Sequence, residues 1–303
     1  MKNGKKIYIL YHSGSFGSWI KWLIDYSNDL GHKTKFVPSN PLLADGSSHN
    51  LIRNSTEHPG GLDATLKTLD EIVDEDCGYR IYRVIPIIDE EIKIDEFLDT
   101  LAQNKNPQDK IIYVDVDGQY NKEITFLNNG YKAGLNQTFD DTVSIKVKQW
   151  AADKSSFFEL EKWQQRELIS YWYEEMIISL TESPIRKHDA LIIPLSDVFN
   201  KKSVELAKRL VDYCELPFKD DISDHLTKIH AKMLSLQKAP QVLKSIYDVI
   251  SAIISKQNID IQDLSLFGEA MVQRKLRDHG KELQCFGLNT FPSNTRDLMS
   301  LIK

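Results

Sequence analysis

Short apolar runs bounded by turn residues alternate with stretches of helical periodicity through roughly residue 200. Runs at 6–11, 33–37, 80–86, 110–115 and 189–194, with a weaker one at 282–287, predict strands. Apolar positions at helical spacing predict helices over 18–30, 61–74, 91–103, 160–181, 201–214, 222–236, 239–256 and 262–279. This alternation predicts a three-layer α/β/α fold around a mainly parallel sheet. Residues 1–217 are expected to form that core, and residues 218–303, mostly helical, a C-terminal extension packed on it. Two long polar connections, 38–60 and 131–158, are the kind that either cover a site or carry no regular structure, and they are placed to border one cleft.

The first strand, loop and helix carry the most chemistry. Ile7 to Tyr11 is an apolar strand, His12 to Ser18 a loop of small and hydroxyl residues, and Trp19 onward an amphipathic helix. A helix N-terminus leaves backbone N–H groups unpaired and carries partial positive charge. Ser13, Gly14, Ser15, Gly17 and Ser18 therefore suit the wrapping of an anionic group, and equally an ordinary Ser-capped turn. It is not a Walker motif, because no Lys-Ser/Thr follows the glycines.

Composition narrows the classes. The chain has 303 residues, 41% of them hydrophobic, enough for a substantial core. A net charge of -6 argues against general nucleic-acid or anionic-membrane binding. Cys77, Cys214 and Cys285 are scattered without a CxxC pair, which favours a reducing, cytoplasmic setting over a disulfide scaffold or zinc site. The amino terminus runs directly into a short strand, and no apolar run reaches the ~20 residues of a membrane span.

With the pair Ser18-Trp19 closing the loop, the chain resembles the sulfotransferase family, whose fold is related to the P-loop NTPases and whose phosphosulfate loop follows the first strand and ends in such a pair. Leu191 to Phe199, then Lys201 to the closing Tyr213-Cys214-Glu215-Leu216-Pro217, is similar to the family's late-core element. Trp163, Arg166 and Glu167 resemble a pattern of small phage and bacterial sulfotransferase-like proteins. The resemblance implies transfer of a sulfuryl group from 3′-phosphoadenosine 5′-phosphosulfate to a hydroxyl or amine of a small-molecule or glycan acceptor. It implies donor contacts from the loop residues and Trp19, and a late closing segment whose nearest equivalent is Gly280-Lys281; that segment is equally a basic helix end. The chain departs from the family in two places. The loop has no Lys, leaving Lys21, a step into the helix, as the phosphate-side cation and a catalytic candidate, or else as a solvated helix-surface residue, and the strand Lys110 to Val114 ends in Asp115-Val116-Asp117 instead of an Arg.

Candidate general bases are His49, Glu57 and His58, then Asp115. His58, between Glu57 and Pro59-Gly60-Gly61, is the first choice, because the family keeps its base in this interval; a solvated loop His is the alternative. Asp115 and Asp117 also resemble the Asp-x-Asp element of nucleotide-sugar glycosyltransferases that holds Mn²⁺ or Mg²⁺ against a diphosphate, or else form a strand-ending turn leading into a helix. A third possibility is a catalytically silent relative that binds or assembles. The residues leave the oligomeric state open.

Overall fold

The computed structural model describes residues 4–12, 14–28, 62–73, 78–84, 94–132, 188–200, 202–235, 237–257 and 266–278, with positions 159, 160, 177 and 259. Two compact units make up the chain, residues 1–125 with 177–237 and residues 126–176 with 238–303. The strands expected over 33–37 and 282–287, both long polar connections apart from Tyr131 and Lys132, and the helix expected over 160–181 apart from Leu160 and Ile177, lie outside the described residues.

The first unit is built on a four-stranded sheet of β1 (Lys5–Tyr11), β2 (Tyr79–Val84), β3 (Lys110–Asp115) and β4 (Ala190–Pro194), in the order β2-β1-β3-β4. All three pairings are parallel; Ile9 lies opposite Arg83 on one side and Ile112 on the other. Alternation along each strand sends one set of side chains to each face. Tyr8, Leu10, Tyr82, Val84, Ile111 and Tyr113 bury against Phe97, Leu98 and Leu101 of α3 (Ile94–Asn104). The other set, including Ile7, Ile9 and Tyr11, is equally buried, and α1 (Gly17–Ser27) packs on β1 and β2. Burial on both faces is why these strands read as continuous apolar runs.

After β3 the chain enters α4 (Gly118–Lys132), and after β4 a short α5 (Leu195–Phe199), α6 (Ser203–Tyr213), a 3-10 turn (Asp220–Ile222) and α7 (Ser223–Ser235). α6 packs on α1 and α7 packs on α6. In the second unit α8 (Ala239–Ile254) packs on α9 (Leu266–Asp278), burying Leu243, Ile246, Ile250 and Ile253 of α8.

Two elements differ from expectation. The helix predicted over 61–74 is only α2 (Leu62–Lys67) with a 3-10 turn (Thr68–Asp70), because side chains draw the chain out of helical form. The Thr68 hydroxyl donates to the Thr65 carbonyl at 2.5 Å, and the Glu71 carboxylate accepts from the Tyr82 hydroxyl at 2.6 Å. α4 is not signalled by periodicity at all. Asn121, Glu123, Thr125 and Asn128 are buried among its apolar positions and break the stripe that identifies a helix.

At the amino-terminal edge of the sheet Glu215, in the left-handed region at φ 52°, follows α6 and accepts from Lys5 at 3.0 Å and Lys110 at 2.7 Å. The two ammonium groups, Lys110 foremost, hold its carboxyl down at about 2. Because that value is depressed, the stabilisation is present above the ordinary carboxylate value of 4.5 and is lost as pH falls through about 2. The stability difference between wild type and Glu215→Gln, followed by urea unfolding, should therefore be constant near neutrality, shrink through that acid window, and diminish with added salt.

Candidate functional site

In a sheet ordered β2-β1-β3-β4 the chain leaves β1 for one neighbour and later crosses to the other, so a topological switch point lies between β1 and β3. Open parallel sheets bind their ligands outside the carboxyl ends of strands at such a point. The β1–α1 loop and Asp115 are both there.

The loop turns sharply. The Ser15 backbone N–H and hydroxyl both donate to the His12 carbonyl, at 2.9 and 2.7 Å. Gly14 has φ 97°, which glycine adopts without cost, and Phe16 at the N-cap has φ 65°. No side-chain hydrogen bond caps α1 at Phe16. Gly17 lies so close to the Tyr11 ring that a Cβ there would overlap its carbon atoms. The absence of a side chain at this position lets the first turn of α1 sit directly on β1.

Beneath that turn lies a cation. Arg83, on the α1 face at the end of β2, is 8% exposed, and its Nη1 donates at 2.7 Å to the hydroxyl of Ser18, itself 5% exposed. The Tyr11 hydroxyl is close enough to both to feel them. Burial raises its pKa, opposed first by the Arg83 charge and then by Ser18.

On the β3 side Asp115 is fully buried. Asp117, directly before α4, accepts from the Asn121 amide at 2.9 Å, and Glu123, also buried, accepts from Gln119 at 3.0 Å. The first contact ties the Asp-Val-Asp-Gly segment to the start of a helix, and the second lies within that helix. Among the described residues no group of three or more His, Cys, Asp or Glu side chains is arranged to hold a metal ion.

The remaining residues singled out by sequence separate clearly. Ser13, His49, Glu57, His58 and Lys281 lie outside the described residues. Gly14, Ser15, Gly17 and Ser18 converge in the loop. Trp19 is completely buried and stacks on Trp22 at 4.8 Å and on His230 of α7 at 5.4 Å, so its ring faces helices. Lys21 is also buried and spends its charge on Asp25, 3.0 Å away one helical turn on. Asp25 also accepts from the Tyr79 hydroxyl at 3.0 Å. Cys214 is a buried thiol whose pKa is pushed up to about 12, which leaves it protonated and unreactive.

Arg83 and His230 are the residues that sequence weighed least. Each has a signal. Arg83 occupies a position of the same parity as Ile81 on a two-sided buried strand, and His230 falls among Leu226, Ile229 and Met233 on the buried stripe of α7. The spacing of His225 and His230 predicts no shared helix face, yet both rings contact α1 aromatics, at Tyr26 and Trp19 respectively.

Fold and site together define an α/β protein with a parallel sheet whose interior strand leads into a tight, uncapped glycine-containing turn. No protein-family model, curated protein or solved structure matches the chain. Among the described residues no helix is long and apolar enough to cross a membrane. Gly17→Ala is expected to lower stability by about 1–3 kcal/mol in urea unfolding, because the added methyl forces the α1 turn off the Tyr11 ring.

Proposed function

We propose that the chain is a sulfotransferase-like transferase of the P-loop-related α/β type, and that its β1–α1 loop holds the 5′-phosphate side of a phosphoadenosine phosphosulfate donor. The observation that carries this is the buried Arg83 guanidinium set against Ser18 at the uncapped start of α1. It brings to the turn the positive charge that the loop sequence lacks. Backbone amides of a first helical turn and a desolvated guanidinium form a donor set that suits a phosphate or sulfuryl oxygen and discriminates against a neutral ligand.

In the proposed reaction an acceptor oxygen or nitrogen bonds to the sulfur while the bond from sulfur to the bridging phosphate oxygen breaks, its electron pair going to that oxygen. The loop amides and Arg83 stabilise the charge that builds there. The acceptor proton passes to a base, assigned by resemblance to His58, with Asp115 as the carboxylate at the switch point. Lys21, held by Asp25, contributes to the structure of α1. No part of this requires a divalent cation.

Buried Asp115, with Asp117 two residues on, favours one second function, a nucleotide-sugar glycosyltransferase in which the pair binds Mn²⁺ or Mg²⁺ with further ligands from outside the described residues. A thermal-shift comparison separates the possibilities. Ligand at ~100 times its dissociation constant stabilises a fold by about 2.7 kcal/mol. We expect a shift with 3′-phosphoadenosine 5′-phosphate that needs no metal, survives Lys21→Ala and weakens about tenfold or more in affinity in Arg83→Met, with partial recovery in Arg83→Lys. A shift confined to a UDP- or GDP-sugar with Mn²⁺ and lost in Asp115→Asn would transfer the chemistry to the carboxylates. No shift with either would mark a silent binding or assembly protein.

A further inference from the structure

We infer that His230 is a positioning residue that fastens the loop-bearing turn of α1 and lets it go as pH falls, so that an imidazole outside the loop sets the loop's affinity for anions. This deepens the function proposed above and rests on it.

α5, anchored directly behind β4, reaches the loop by two routes. The Phe199 ring meets Phe16, the left-handed N-cap residue of α1, edge-on at 5.3 Å and 84°. The Val198 carbonyl lies 2.7 Å from His230 Nε2, and the His230 ring stacks on Trp19 at 5.4 Å and 17°. A carbonyl only accepts, so Nε2 carries the proton of the neutral ring. Phe16 and Trp19 bracket Gly17 and Ser18. The segment proposed to aim its donors at a phosphate is thus gripped at both ends by α5, and one grip passes through a titratable ring.

His230 is 2% exposed and sits among Leu226, Ile229 and Met233 on its own helix. The charged groups of the elements packed around it are engaged elsewhere or exposed. Lys21 and Asp25 of α1 pair with each other, and Asp197 of α5 pairs with Arg209 of α6. Glu205 of α6 pairs with Lys202 just ahead of that helix, while Lys208 and Asp212 are exposed. On α7, His225 rests against Tyr26, and Asp224, Lys228 and Lys232 are exposed. Burial lowers the His230 pKa below the ordinary imidazole value, with only the Val198 carbonyl opposing it. A second ring proton therefore enters a site where, among the described residues, no carboxylate compensates it. The second proton enters at Nδ1, and drawing that buried nitrogen out to water pulls the ring against its Val198 bond and its Trp19 stack, which loosens the first turn of α1.

The sign follows from the lowered value. The clamp is intact above the ordinary imidazole value of 6.5 and is lost as pH falls through the lowered value of the folded protein. The test titrates the full-length protein by NMR without ligand, following the His230 ring and the Gly14, Gly17 and Ser18 amides. It then measures 3′-phosphoadenosine 5′-phosphate affinity by calorimetry at pH about 7.5 and about 5 in wild type and His230→Gln, whose amide still donates to Val198 but does not titrate. The amide shifts should follow the imidazole midpoint. Wild-type affinity should fall about fivefold or more beyond the fall in His230→Gln, since protonation of the ligand's own phosphates is common to both and cancels. Equal pH dependence in the two proteins, or amide shifts that ignore the imidazole, would overturn the clamp. If the nucleotide does not bind at pH about 7.5, the transferase proposal falls while the ligand-free titration still decides the clamp. Should His230→Gln not fold, coincidence or mismatch of the wild-type midpoints decides it alone.

Discussion

The burial of β1 on both faces and along both edges is the constraint on which the site depends. A strand in that position cannot slide or tilt without disturbing pairings to β2 and β3 and the packing of α1 and α3 together. Whatever the chain places at its carboxyl end inherits that rigidity. Tyr11 is the last residue of the strand and also the surface on which Gly17 rests, so the position of the helix start is set by the sheet itself. Arg83 stands on the adjoining strand opposite Ile9, and its head meets Ser18. A guanidinium buried this deeply is costly, and the Ser18 hydroxyl that accepts from it at 2.7 Å offsets part of that cost.

Charge is divided along the sheet. At the amino-terminal edge Lys5 and Lys110 converge on Glu215, and the backbone N–H of Lys6 donates to Asp109 at 2.9 Å, which ties the start of β1 to the residue before β3. At the carboxyl edge Arg83 stands on the β2 side of the loop and Asp115 on the β3 side. The paired charges of the first edge fasten strands. At the second edge the two groups stand on different strands, Arg83 on β2 and Asp115 on β3, with β1 between them.

Much of this architecture was legible in the chain. The strands at 6–11, 80–86, 110–115 and 189–194 correspond to β1 to β4 within a few residues; two-sided burial leaves β1 to β3 as long apolar runs with abrupt polar ends, and β4 is a half-buried edge strand. Loop and helix after β1 were equally plain, since glycine and serine clusters serve few other purposes between a strand and a helix. α4 was hidden by its buried polar residues, and the shortened α2 by hydroxyl and carboxylate contacts to residues distant in sequence, notably Tyr8 and Tyr82. The placement of Arg83 was hidden for a related reason. Sequence shows a cation next to apolar residues; only strand order shows that β2 lies beside β1 and delivers that cation to Ser18. Lys21 illustrates the converse, a residue whose proximity to the loop in sequence suggested a phosphate contact and whose helical neighbour Asp25 takes its charge.

The ring ladder along α1, running from His230 through Trp19, Trp22 and Tyr26 to His225, has a consequence of a different kind. Indoles stacked this closely share their electronic excitations, which gives the pair a circular-dichroism couplet that neither ring has alone. Because both indoles belong to the first two turns of α1, the couplet reports the mutual geometry of those rings, and so whether the start of the helix keeps its winding, without an attached probe.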